Sequence, residues 1–234
     1  MDSASMTVIA NAIAGAGIRV ARFEFGYMAG RRHPQAKRPP PRAETLCSEY
    51  IAAVDALSAP GPLIIGGKSM GGRVASMIAD ALYSGRRITG LLCIGYPFHP
   101  IGKPDQLRTA HLREIETPTL IVQGTRDPFG TRDDVSAYEL SKMIEVLWLE
   151  DGDHDLKPRK VVSGFTAADH LRSMAGRVET WSRMPGRGRS MEDESAWALT
   201  IKLGPNSESY SPANLGLLVP STGCTAQRSL PFAA

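Results

Sequence analysis

The sequence predicts an α/β fold, a mostly parallel sheet with helices on both faces. Apolar, β-branched runs alternate with segments of helical periodicity along most of the chain, the pattern of repeated βα units. One of these runs passes into a helical segment through the glycine-rich Gly66-Gly-Lys-Ser-Met-Gly-Gly72. At 234 residues, with 42% hydrophobic and 22% charged residues, the chain is long enough to bury a sizeable core.

Met6, Ile9, Ala10, Ile13 and Ala14 recur at helical spacing, and Gly15 and Gly17 end that helix. Ile18-Arg-Val-Ala-Arg-Phe-Glu-Phe25 alternates as a strand does. A loop rich in Arg and Pro spans Gly26–Arg42. Ala43–Leu57 then places Leu46, Tyr50, Ile51, Val54 and Leu57 on one helical face. Next come a strand at Leu63–Ile65, a helix at Met70–Tyr83 and a strand at Ile88–Ile94. A short helix is expected near Gln106–Glu114, a strand at Pro118–Val122 and a helix near Asp133–Met143. The strand Ile144–Leu149 and the helix Ala167–Trp181 complete the series. Residues 1–183 thus read as one domain. Residues 184–234 are rich in Gly, Pro, Ser and Asn, and read as a poorly ordered tail in which Leu215–Val219 could add an edge strand.

The composition excludes several classes. A net charge of +3 is too small to argue for nucleic acid. No apolar run approaches the roughly 20 residues that span a bilayer. The three cysteines, Cys47, Cys93 and Cys224, are far apart and form no metal-ligand pattern, so no metal or other cofactor is expected. Without a signal peptide, a cytoplasmic location is the expectation.

Gly67-Lys-Ser-Met-Gly71 fits G-x-S-x-G, which alone arises by chance on the order of 0.1 times in a chain this long. Between a strand and a helix, however, it is where a nucleophilic serine sits on a strained turn. The N–H of Met70 would then face a developing oxyanion. A phosphate-binding turn fits less well, because Pro62 stands where G-x-x-x-x-G-K-[ST] needs glycine. A serine nucleophile needs a base and an orienting acid. His33, His111 and His170 read as solvated or packed, and His99, past a strand end, could line the pocket. His154 follows the strand Ile144–Leu149 and Asp127 follows the strand at Pro118–Val122, both at the carboxyl edge where such sites gather. Ser69, Asp127 and His154 come in the order nucleophile, acid, base.

Four segments carry a closer resemblance: Gly66-Gly-Lys-Ser-Met-Gly-Gly-Arg73, Gly95-Tyr-Pro-Phe-His-Pro100, Gln123-Gly-Thr-Arg-Asp-Pro-Phe-Gly130 and Asp151-Gly-Asp-His-Asp-Leu-Lys-Pro-Arg159. Over about Met1 to Trp181 the chain resembles the small bacterial dienelactone-hydrolase-like α/β-hydrolases. That family is related to the testis-expressed hydrolase-like proteins and to a hydrolase-like subunit of a chromatin complex. The resemblance implies an α/β-hydrolase fold with Ser69, Asp127 and His154 as triad, and hydrolysis of an ester, thioester or lactone through an acyl-enzyme. It also implies an N-terminally truncated fold. Members of the family begin with strands before the first helix seen here, and a His-Gly-type loop after one of them supplies the second oxyanion donor. The absent strand would lie between Ile18–Phe25 and Leu63–Ile65, unless those two pair directly. A catalytically inactive scaffold that binds partners is therefore the competing expectation.

Cations cluster after strand ends: Lys68 in the elbow, Arg126 beside the acid, Lys103 and Arg108 after His99, and Lys157, Arg159 and Lys160 after the base. Residues 31–42 add five more. Each alone reads as solvated surface. Together they predict a positive rim, with Lys68, His99 and Arg126 touching a small, anionic substrate.

Overall fold

The computed structural model describes residues 4–30, 41–57, 61–184, 198–200 and 216–218. Helix α1 (Ala4–Gly15) leads into strand β1 (Arg19–Arg22) and the short α2 (Gly26–Gly30). A 3₁₀ turn at Ala43–Leu46 opens α3 (Cys47–Leu57). Then come β2 (Leu63–Lys68), α4 (Met70–Ser84) and β3 (Gly90–Ile94). After a 3₁₀ turn at Ala110–Leu112 the chain forms β4 (Thr119–Gly124), α5 (Arg132–Ser136) and β5 (Ile144–Leu149). The helices α6 (Lys160–Ser163) and α7 (Ala167–Ser182) precede two short strands, β6 (Ala198–Thr200) and β7 (Gly216–Leu218).

The strands form one sheet in the order β5-β4-β3-β2-β6-β1-β7. All neighbours are parallel except β7, which runs antiparallel to β1 at the edge. Two apolar layers sandwich the sheet, and the period-2 alternation of strand side chains assigns residues to each. Ile65, Leu91, Cys93 and Ile121 pack on the face covered by α3 and α4. Ile64, Leu92, Ile94, Leu120 and Val122 pack on the other, with α1 and α7. Every residue of β3 and β4 is buried, as strands covered on both faces must be.

The structure corrects the sequence reading in four places. The gap expected between β1 and β2 is filled, and the two do not pair directly. Strand β6 lies there, with Ala198, Leu199 and Thr200 in register with Arg19–Ala21 on one side and Leu63–Ile65 on the other. It comes from the segment read as a tail, where β7 takes the edge position foreseen for Leu215–Val219. Second, β2 runs three residues past Ile65, through two glycines that sequence propensity disfavours. A Cβ at Gly66 would lie 2.0 Å from the Leu92 carbonyl oxygen, so the ladder with β3 continues only because that residue is glycine. Third, the helix expected at Gln106–Glu114 shrinks to the turn at Ala110–Leu112. Arg108 bonds to the preceding loop instead, its N–H to Phe98 O (2.8 Å) and its C=O to the Tyr96 hydroxyl (3.1 Å). Fourth, the helix expected at Asp133–Met143 ends at Ser136, because Ser141 is drawn away by bonds to Leu112 O and Ile115 O. The Arg/Pro loop contains α2 at its start; its residues 31–40 lie outside the described residues.

Candidate active site

The carboxyl ends of β2, β4 and β5 face one edge of the sheet, and each supplies one side chain to a common site. Ser69 follows β2 and stands as the N-cap of α4, with φ 53° and ψ −119°. A positive φ is strained for a side chain with a Cβ, by about 1–3 kcal/mol. Close packing holds it there. A Cβ at Gly67 would lie 2.6 Å from the Gly71 carbonyl carbon, and one at Gly72 would lie 2.7 Å from Gly67 O. The second glycine of the motif, Gly71, has open space around it, so Gly72 is the residue the turn requires. Ser69 N–H donates to Ile94 O at 2.9 Å, which continues the β2–β3 ladder to the turn.

Tyr50, fully buried on α3, holds the approach to this turn. Its hydroxyl accepts from Gly66 N–H (2.9 Å) and donates to Gly66 O (2.6 Å). Among the described residues β6 pairs with β2 up to Ile65, and one phenol hydroxyl does at Gly66 what a neighbouring strand would do. Burial pushes the Tyr50 hydroxyl far above its ordinary pKa, keeping it neutral.

Asp127, in the turn after β4, is buried and accepts three hydrogen bonds. They come from Phe129 N–H (2.9 Å), the Gln123 side-chain amide (3.0 Å) and His154 Nδ1 (2.8 Å). With Nδ1–H directed at Asp127, His154 Nε2 is left to accept from the Ser69 hydroxyl, 3.0 Å away. The three groups thus form a continuous relay across three separate strand ends. Gln123 Oε1 also accepts from Tyr96 N–H (2.7 Å), and the Phe129 ring lies 4.4 Å from the imidazole. Sequence reasoning passed over Gln123 and Phe129, although both lie in the quoted acid segment; a polar residue inside an apolar strand was the available signal.

The other expected site residues are placed as follows. Lys68 Nζ pairs with Asp155 at 2.9 Å, a contact that lowers the Asp155 pKa. Arg126 donates to Asp151 O (2.7 Å) and Lys157 O (3.0 Å), and its guanidinium lies 3.4 Å from Asp151 and 3.5 Å from Asp153. It fastens the His154 loop. His99 is buried, with Nδ1 donating to Pro100 O (2.9 Å) and Nε2 3.7 Å from Asp134. Met70 opens the first turn of α4, whose amides have no acceptor within the helix. Among the described residues, no group of three His, Cys, Asp or Glu side chains is placed to hold a metal ion, and no helix is long and apolar enough to cross a membrane.

A family model described as an alpha/beta hydrolase domain matches residues 1–183. The chain belongs to that family. Among solved structures, the fold is similar to the esterase domain of a Rhodothermus marinus protein, with a TM-score of 0.53 and 18% identity, covering 78% of this chain and 80% of that one. A second similar structure is the monoacylglycerol lipase of Paleococcus ferrophilus, with a TM-score of 0.45 and 12% identity, covering 62% of this chain and 78% of that one. The first likeness, at 18% identity, speaks to fold alone. Strands β6 and β7 lie beyond the family match, yet they join the hydrolase sheet.

Proposed function

We propose that this hydrolase cleaves a carboxylic ester, thioester or lactone through an acyl-enzyme on Ser69. The observation that carries the reading is the relay from Ser69 through His154 to Asp127, at 3.0 and 2.8 Å. In the proposed reaction Ser69 Oγ attacks the substrate carbonyl and passes its proton to His154 Nε2. Asp127 fixes the tautomer and stabilises the imidazolium. The Met70 amide donates to the tetrahedral oxyanion. His154 then protonates the departing alcohol or thiol, and water repeats the sequence on the acyl-enzyme. The esterase domain among the similar structures fits this chemistry.

The four motifs favour the dienelactone-hydrolase-like subfamily, and we keep with it the cytoplasmic location expected from the sequence. By that resemblance a second oxyanion donor follows the strand beside β2. Here that place is taken by β6, and the residues after Thr200 lie outside the described ones.

The test is labelling with a fluorophosphonate. We expect covalent labelling that Ser69→Ala abolishes while the fold, checked by circular dichroism, is retained. A folded protein that takes no label would instead be a non-catalytic scaffold of the same fold.

A further inference from the structure

The cations predicted to form a positive rim are not all placed alike. Four of those around His154 are paired: Lys68 and Lys157 share Asp155, and Arg126 and Arg159 share Asp151. Arg42 and Arg108, together with Arg73, line a cavity of about 340 Å³ that Met70 and Glu44 also border. Here three guanidinium groups face a single carboxylate.

Arg73 sits one helical turn after the serine, with its N–H on Ser69 O at 3.0 Å. Its side chain is 19% exposed, and Nη2 approaches Glu44 at 3.3 Å. The Nε atom is buried and has no hydrogen-bond partner among the described residues. A buried N–H left unsatisfied costs about 1–3 kcal/mol. Arg108 has no carboxylate within ion-pair distance among the described residues, and burial and the nearby charge of Arg73 lower its pKa. Arg42 lies 3.8 Å from the same Glu44 that serves Arg73. An anion between Arg73 and Arg108 would pair with both guanidinium groups and relieve the repulsion between two like charges.

Resting on the serine-hydrolase reading, we infer that this cavity binds an anionic acid group of the substrate, a carboxylate or a phosphate, through Arg73 and Arg108. Met70, whose amide is proposed to hold the oxyanion, borders the same cavity, which links it to the reaction site. The cavity volume is at the small end for ligand sites, about 300–1,000 Å³, which fits a short acyl chain ending in the acid.

Two measurements test this. In the first, kcat/KM is compared for 4-nitrophenyl hemisuccinate and its neutral isostere, 4-nitrophenyl levulinate, at low salt. The anionic ester is expected to lead by at least about tenfold, a gap that narrows as salt screens the field. Arg108→Met should bring the ratio to about one, and Arg108→Lys, which keeps the charge but loses the planar fork, should leave it in between. A wild-type ratio of one, or a ratio unmoved by both variants, overturns the pocket while leaving the hydrolase reading intact.

The second measurement needs no turnover. Calorimetric titration of the Ser69→Ala protein with succinate and with inorganic phosphate should show binding of at least one of them, weakened by Arg108→Lys and Arg108→Met. Which of the two binds distinguishes carboxylate from phosphate. Binding here together with absent labelling would remove the hydrolase reading and keep the pocket. Absence of binding by both anions overturns the pocket.

Discussion

The two halves of the sheet are built differently. From β2 to β5 the chain lays down neighbouring strands one after another, in parallel registers of four to six residues. Ser69, Asp127 and His154 all leave from this half. On the other side, β6 meets each neighbour over only three residues, β7 reverses direction, and the partners are far apart in sequence. The contrast teaches that the site's geometry is locally wired, whereas completion of the sheet depends on long-range pairing. Tyr50 stands at the seam between them, bonding Gly66 next to the last described pair of β6 with β2.

The sharpest break of this comparison is chemical. Asp127→Asn should lower turnover by about 10⁴-fold, and His154→Ala by several orders of magnitude, because the imidazole is mis-set or lost. Both should leave β2–β5 amides as protected from hydrogen exchange as before; a collapse of that protection would mean the triad holds the fold together. Next in size is Leu199→Pro, which removes a backbone donor from a strand paired on both sides. The expected loss is about 1–3 kcal/mol in urea unfolding, with protection falling first in β1. An unchanged midpoint would show that β6 contributes nothing to the sheet.

Tyr50→Phe probes the seam. It strips both Gly66 backbone groups of their partner, for about 1–3 kcal/mol in the same assay. Labelling of Ser69 should slow as well, since Gly66 leads directly into the elbow. Unaltered stability would mean another group reaches Gly66 when the hydroxyl is gone.

The smallest effect concerns acid. The hydrogen bond from the Arg159 side chain, followed by the Arg159 backbone N–H and the charges of Arg159 and Arg126, lowers the Asp151 pKa to about 2. A depressed carboxylate pKa stabilises the fold above its unfolded value, near 3.9, and that contribution is lost as pH falls through the folded value. Melting temperature should therefore decline between about pH 4 and 2, and Asp151→Asn should flatten that decline. Parallel curves for the two proteins would assign the acid limb to other groups.

Much of the well-wired half was legible in the sequence. Its strands are apolar and β-branched, its helices α4 and α7 have clear periodicity, and the elbow is a short motif at a strand–helix junction. The adjacency of Ser69, Asp127 and His154 could be read because all three follow parallel strands at one edge. What was illegible is non-local. Ala198-Leu-Thr200 is too short to show alternation, and its partners in β2 lie about 135 residues away. The pairing of Lys68 and Arg126 escaped notice for a related reason. Their counter-ions Asp155, Asp151 and Asp153 flank His154, and counting cations alone overstated the rim. The short segments near residues 106–114 and 137–143 have helical composition, with Leu, Glu, Ala, Arg, Lys and Met, but loop hydrogen bonds win there.

The placement of β6 also has a consequence for biosynthesis. When β2 emerges from the ribosome, the strand that will cover its open side has yet to be made. At about 5–20 residues per second, some 135 residues separate Leu63 from Ala198 by roughly 7–27 s. Through that interval β1 and β2 each offer an unpaired parallel edge, and they can reach one another. A premature β1–β2 ladder would then be a kinetic trap that β6 has to open, and the expected signature is a folded yield that rises when a chaperone holds the slot vacant.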